Sequence, residues 1–392
     1  MSILIAIFGL ALLVMIHEAG HFFAARAVGM TPRKFYLGFG PPIARTTRGG
    51  VEYGIGSIPL GGYVKIPGMS RPSAGTLATM LPEQARDEHR TELARLDAAI
   101  ENGDDHAARA ALEELRPALG TTSAWQELEG QLAPDAYWRQ ATWRRLVAIG
   151  AGPGVNLLFA IVLFTCLFVV ATTRDTNVVG RVLSHTPAAA AGVKQGDAIL
   201  SVAGQRVAPK EIPAHIRATD GRPFTLVVRR NGRRVPIRLH ARLDDGSYRI
   251  GIAIESRTGA GESVPAAARD AFGLTWGVTR DTVTGIGHLF AGQDTNQVSS
   301  SVGIVRVSAA AWRQGLRDFL LVLGLVSLAL GLLNLIPVLP LDGGHIVIAL
   351  VEKARGHTFK QSVYLRYTVV GFALFAVLMY FGLRNDLFGG GG

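Results

Sequence analysis

The chain has 392 residues, 48% of them hydrophobic, with a mean hydropathy of +0.27; that balance argues against a soluble enzyme and for a protein integral to a membrane. The 40 Lys and Arg against 30 Asp and Glu give a net charge of +10, but many of the cations (Arg139, Arg144, Arg145, Lys353, Arg355) flank apolar runs, where positive residues mark the cytoplasmic side; with no recognition motif beside them, nucleic-acid binding is set aside. The single cysteine, Cys166, excludes an intrachain disulfide and a zinc site of four cysteines.

Residues 1–16 carry no charge, and residues 22–25 extend the apolar run. A signal peptide would have a basic start, and here His17-Glu18-Ala19-Gly20-His21 stands where a cleavage site would be; the segment reads as a retained helix. Two His four apart fall on one helix face, about 6 Å along the axis. Both imidazoles can then reach one Zn²⁺, and Glu18 can take a proton from the water such a metal activates. Helices produce this motif by chance, yet a His-Glu-His cluster in hydrocarbon is expensive without a metal or partners.

Residues 38–68 are rich in Gly and Pro, with strand-like content at 51–58 and 63–66 and turn glycines between. Two readings stand side by side: a hairpin dipping toward the histidines, since non-helical backbone at membrane depth must line a wet cavity or be buried, and an ordinary cytoplasmic hairpin. Residues 82–119 are polar, with Leu93, Leu96, Ile100, Ala111, Leu112 and Leu115 at helical spacing around Asn102-Gly103; they read as a solvated helical hairpin outside the membrane. Tyr137, Trp138 and Trp143 among arginines form an interfacial belt before a second uncharged run, 146–173. Within it Gly152-Pro153-Gly154-Val155-Asn156 allows close packing, and Asn156 is either a packing bond or a site contact.

Residues 177–255 change character. Strand candidates at 178–183, 198–202, 224–229, 235–239 and 250–254, helices at 186–192 and 209–219, and the hairpin signal Asn231-Gly232 compose a small α+β domain. Trp276, Val278, Ile286, Leu289 and Phe290 suggest an amphipathic helix on the membrane surface, and 294–305 reads as a loop. Two more uncharged runs follow, 319–341 and 367–383. The former ends in Asn334-Leu335-Ile336-Pro337-Val338-Leu339-Pro340-Leu341-Asp342-Gly343-Gly344-His345. A catalytic zinc usually has three protein ligands, and Asp342 fills the third place. The alternatives are Asp342 as a cap of the next helix and His345 as a competing ligand, for which a supporting role fits better.

These residues resemble the site-2 protease family of intramembrane zinc metalloproteases. Its motifs match at His17, Glu18 and His21, at Asn334, Pro337, Asp342 and Gly343, and at Gly152, Pro153 and Asn156. The resemblance implies a polytopic α-helical membrane protein with about four transmembrane helices, a membrane-associated β-hairpin and an inserted extracytoplasmic PDZ-like α+β domain. The expected division is 1–66 for the first span, zinc motif and hairpin, 67–140 for a cytoplasmic helical insertion, and 141–174 for the second span. Residues 175–256 are then the PDZ domain, 257–317 an interfacial region, and 318–392 the last two spans with the Asp-Gly motif.

The resemblance further implies Zn²⁺ on His17, His21 and Asp342, with Glu18 as general base. The substrates are transmembrane proteins pre-trimmed by another protease: single-span anti-sigma factors or signal-peptide remnants. Asn334, Asn156, Gly61, Gly62 and Tyr63 are the expected substrate contacts, the hairpin adding the unwound substrate as a strand. The active site is expected near the cytoplasmic face of a bacterial inner membrane. Ile250-Gly251-Ile252 is the nominated carboxylate-binding loop of the PDZ unit. The insertion over residues 70–136 is longer than the family pattern, and Gly389–Gly392 reads as an appended tail. The rival functions are a non-proteolytic PDZ-bearing membrane scaffold and a metal transporter, the latter disfavoured by a single metal cluster and no inverted repeat.

Overall fold

A computed structural model describes residues 1–72, 81, 83–119, 123–244, 247–290, 301–359 and 361–388. The chain divides into two compact units, Met1–Thr165 with Ala268–Gly392, and Cys166–Ala267. Among the described residues four helices are long and apolar enough to cross a membrane: α1 (Ser2–Ala27), α6 (Thr142–Val170), α11 (Leu316–Asn334) and the stretch Ser362–Asn385 of α13 (Gln361–Phe388).

In the first unit, the initial apolar run and the histidine motif lie on one unbroken helix, α1. Its 26 residues rise roughly 39 Å, more than the roughly 30 Å of bilayer hydrocarbon. Leu13 packs with Phe319 and Leu323 of α11, while Leu4, Phe8 and Phe23 face outward, as side chains bathed in lipid do. Pro153 lies inside α6 without ending it.

After α1 come β1 (Lys34–Arg48) and β2 (Val51–Lys65), joined at Gly49-Gly50, both with positive φ. Sequence patterning assigned strands only at 51–58 and 63–66; β1 is an addition. Its Pro41-Pro42 hid it, because Pro cannot donate to a ladder and is confined to edges and irregularities. Here Pro42 lies at a register shift between Phe39 and Ala44. The pairing is antiparallel, and Lys34 to Leu37 partners Lys65 to Gly62 while also lying alongside Glu52 to Ile55. The segment Gly61–Lys65 therefore runs along one side of the sheet.

The insertion is more than a hairpin. Helices α2 (Glu83–Glu88), α3 (Arg90–Asn102), α4 (Asp105–Leu119) and α5 (Ser123–Leu132) share a core of Leu93, Leu96, Ile100, Leu112 and Leu115 with Trp125, Leu128 and Leu132. Every apolar position anticipated at helical spacing is in that core, and α5 completes it.

The second unit holds β3 (Ala171–Val182), α7 (Pro187–Ala190), β4 (Ala198–Val202), β5 (Gln205–Arg206), α8 (Ile212–Arg217), β6 (Phe224–Arg230), β7 (Arg233–Leu239), β8 (Arg242–Asp244), β9 (Ser247–Arg249) and β10 (Ile252–Ala260). The main sheet has the order β10-β3-β4-β6-β7, with β5 on β4. Thr186 caps α7 and Pro187 opens it, and Asn231-Gly232 adopts the two positive φ values that the hairpin signal requires. Val179, Ile199, Leu226, Val228 and Ile250 form the core. The short β8–β9 pair has too few alternating residues to read from sequence.

Returning to the first unit, α9 (Val264–Phe290) confirms a helix where an amphipathic one was expected, with Phe272, Trp276 and Val283 exposed. The loop expected at 294–305 is corrected in part: α10 (Ser301–Gln314) is a helix, and residues 294–300 lie outside the described residues. The β-branched and glycine-containing run Val302-Gly303-Ile304-Val305 has low helix propensity, and tertiary packing of Ser308, Ala309 and Ala311, all buried, overrides it. Gly389–Gly392 also lies outside the described residues. The third apolar run stops as a helix at Asn334; residues 335–341 are irregular, and α12 (Asp342–Arg355) begins at the Asp.

Candidate active site

α1 places His17 and His21 one turn apart on its buried face, at 6% and 7% exposure. Their Nε2 atoms are 3.2 Å apart. Pro337 and Pro340 keep the chain after α11 from continuing as helix, so it turns and restarts at Asp342. The α12 N-cap is Leu341, without a side-chain cap bond, which removes the helix-cap alternative. The Asp342 carboxylate faces the two rings instead: Oδ2 is 3.2 Å from His17 Nε2 and 3.3 Å from His21 Nε2.

These separations test the fit of a metal. Donors at about 2.0–2.1 Å on the corners of a tetrahedron stand roughly 3.3–3.4 Å apart, which the triad matches. His21 Nδ1 donates to the Ala148 carbonyl oxygen at 2.9 Å, so its Nε2 presents a lone pair. Asp342 Oδ2 is buried without a hydrogen-bond donor. Lone pairs converging in a buried space repel unless a cation lies among them, and two imidazoles with one carboxylate are the donor set zinc takes. Among the described residues, His17, His21 and Asp342 are the metal-capable cluster. His345 is not in it; its ring lies 6.2 Å from that of Tyr364.

The surroundings orient the ligands. Asn156 of α6 is fully buried, with its amide 3.4 Å from His17 Nδ1. With Nε2 turned to a metal, Nδ1 carries the proton, and Asn156 Oδ1, buried and without a donor, is the acceptor it needs when the amide is turned over. Ser327 of α11 donates to the Asn156 carbonyl at 3.0 Å. Gly152 lies so close to the His21 ring that a Cβ there would overlap it. Arg145 of α6 pairs with Glu352 of α12 at 2.6 Å, both buried, and Glu352 also accepts from the Phe359 N–H at 2.7 Å. The helix that begins with Asp342 is thus tied to the helix that holds Ala148, Gly152 and Asn156.

Glu18 points to the sheet. The Val64 backbone N–H interacts with its carboxylate, and a Cβ on Gly62 would lie 3.3 Å from Glu18 Cγ. Tyr63 stacks on Tyr36, with ring centroids 5.2 Å apart at 11°, and Gly61 has φ +88. Farther along, the Tyr36 hydroxyl donates to Glu52 at 2.5 Å. That bond holds the Tyr36 phenol up to about 12 and the Glu52 carboxyl below its usual range, with Lys34 adding to the latter.

The structure therefore brings together five of the anticipated residues, His17, Glu18, His21, Asp342 and Asn156, and sets Gly61, Gly62 and Tyr63 beside them. Asn156 is enclosed against His17 rather than open to a bound chain. Asn334 ends α11, half-buried, with Nδ2 donating to the Leu330 carbonyl at 3.0 Å. The Ala148 carbonyl and the Val64 N–H were not anticipated: every residue owns these groups, and no side-chain pattern marks the ones that matter.

Residues 5–378 match the model of peptidase family M50. The chain is similar to the metalloprotease MmpA of Caulobacter vibrioides, at 29% identity over 97% of this chain and 94% of the relative. It is also similar to the zinc metalloprotease RasP of Geobacillus kaustophilus, at 29% identity over 98% of this chain and 96% of the relative.

Proposed function

Because this chain belongs to peptidase family M50, the site-2 proteases, and is a zinc metalloendopeptidase of that type, we propose that it cuts single-span membrane proteins within their transmembrane segments. The substrate classes we infer are anti-sigma factors and signal-peptide remnants already trimmed by another protease. The observation that carries this reading is the His17, His21 and Asp342 triad beside Glu18, on helices apolar enough to cross a membrane.

In the proposed site His17, His21 and Asp342 hold the zinc, which when bound acidifies water and polarises the scissile carbonyl. Glu18 takes a proton from the attacking water and returns it to the leaving amine. The Val64 N–H faces the Glu18 carboxylate from the sheet. Asn156 and the Ala148 carbonyl fix the two imidazoles in the tautomer that leaves Nε2 free. A peptide bond inside a helix is shielded, and pairing the unwound segment along Gly61, Gly62 and Tyr63 as an added strand exposes it. Asn334 is proposed as a further contact to substrate backbone.

We infer a bacterial inner-membrane protein, a reading that the four apolar helices and the bacterial relatives support. We place the active site near the cytoplasmic face, because Arg26, Arg33, Lys34, Arg144, Arg145, Lys353 and Arg355 then lie inside. The α+β unit is proposed to be a PDZ-like domain outside the cytoplasm. A hollow lined by Ile212, Ile216, Arg217, Ile250, Gly251 and Ile252 gives its nominated carboxylate loop, Ile250-Gly251-Ile252, a groove to serve. The test is cleavage of a model single-span protein by the purified chain in lipid vesicles, with product masses locating the cut. A cut within the span is expected; cuts only outside it contradict the reading, and no cut at all favours the non-proteolytic scaffold.

A further inference from the structure

Two carboxylates of the helical insertion reach the strand ends that frame the site. Asp135, just after α5, accepts from the Thr31 N–H at 3.1 Å and from Arg33 at 3.0 Å. Glu127 of α5 pairs with Lys65, the last residue of β2. Arg33 and Lys65 are themselves neighbours: the Arg33 N–H donates to the Lys65 carbonyl at 2.7 Å. One end of the sheet is thus gripped from the insertion at both of its adjoining strands. The chain beyond is held as well, since the Tyr137 and Trp138 N–H groups donate to the Pro67 and Gly68 carbonyls at 2.9 and 3.0 Å.

The grip is one residue from the chemistry. Lys65 follows Val64, whose N–H meets Glu18, and Gly62 lies against Glu18 Cγ. The segment Gly61-Gly62 has no side chains to pack, and such glycine-rich strands specify their register weakly. Its pairing with Lys34–Leu37 and the stacking of Tyr63 on Tyr36 hold it from one side; α5 adds a hold from the insertion, because Trp125, Leu128 and Leu132 anchor it in the insertion's own core.

We propose that the insertion is a latch, in which Glu127 and Asp135 are positioning residues that fix the Gly61–Lys65 segment against Glu18 and in register for the substrate. The proposal rests on the strand-addition reading above. Each pair is partly exposed, and single exposed pairs are worth little; the latch acts through both together. None of the hydrogen bonds and ion pairs described for the four latch residues involves a metal ligand, so zinc content is expected to be unaffected by loss of the latch.

The experiment uses the full chain in lipid vesicles with a model single-span substrate, comparing wild type with Glu127→Lys, with Glu127→Gln plus Asp135→Asn, and with the charge-reversed pair Lys65→Glu plus Glu127→Lys. The expected result is a loss of about tenfold in kcat/KM for the double neutral variant, mostly in KM, as two weak pairs together would give. Zinc content stays at the wild-type level, and the reversed pair recovers most of what Glu127→Lys loses. Wild-type kinetics in the neutral double variant, zinc lost along with activity, or no recovery in the reversed pair each overturn the latch while leaving the protease reading standing. A wild-type protein that cuts nothing overturns that reading, and the latch with it.

Discussion

His21 uses both ring nitrogens: Nδ1 on the Ala148 carbonyl, Nε2 toward His17 and Asp342. Removing it in His21→Ala leaves two ligands and is expected to abolish zinc retention on dialysis. A subtler change tests its placement. In Gly152→Ala the new methyl overlaps the ring, which must turn off Ala148. Disturbed support of a ligand typically costs 10–100-fold in metal affinity, and about that loss is expected here and in Asn156→Ala, read by competition with a chromogenic chelator. The histidines and Glu18 were legible because their spacing lies within one helix, where geometry follows from sequence. Asp342 was legible as a charge at the end of an apolar run. Asn156 was legible as important but ambiguous in role, because its partner His17 is 139 positions away in the chain.

Helices and strands were legible where one period dominates. The existence of all four spans, and the positions facing the core of the insertion, follow from their patterns. The second spanning helix, however, stops at Val170, where β3 begins, and the third at Asn334, short of the ends of the uncharged runs 146–173 and 319–341. β1 was hidden by its prolines and is held by pairing with the adjoining β2; α10 was hidden by poor propensity and is held by packing of Ser308, Ala309 and Ala311 that no local window contains. The ion pair between α6 and α12 belongs with these long-range devices. Arg145→Ala leaves Glu352 buried without its cation, which is expected to cost about 3–5 kcal/mol, read as thermal stability in detergent; replacing both members by Met and Leu should cost less. In the second unit, Asp197 takes Arg230 Nε and Nη2 at 2.7 and 2.6 Å and the Lys194 N–H at 2.8 Å. Arg230 above all holds the Asp197 carboxyl below its ordinary value. A carboxyl depressed in the folded state adds stability above the ordinary carboxylate range, and this is lost as pH falls through the depressed value. The melting temperature of the unit, followed by circular dichroism of the full chain, is expected to drop on acidification below about pH 4, and to drop less steeply in Arg230→Gln.

Across the chain, the division of labour was readable from composition: apolar runs carrying a metal motif, an α+β insert between the second and third runs, and a polar helical insert after the hairpin. What sequence could not give was how the separate motifs meet. Ligands from α1 and α12, and their supports from α6, are joined by the fold alone. The central claim is that this meeting makes a zinc-dependent base catalyst rather than a binding scaffold. It is tested most directly by measuring zinc stoichiometry and cleavage of a single-span substrate side by side for wild type and Glu18→Gln. The expected result is the same zinc content in both proteins and product only from wild type. Cleavage by Glu18→Gln, or full wild-type activity after the metal has been stripped, would contradict it.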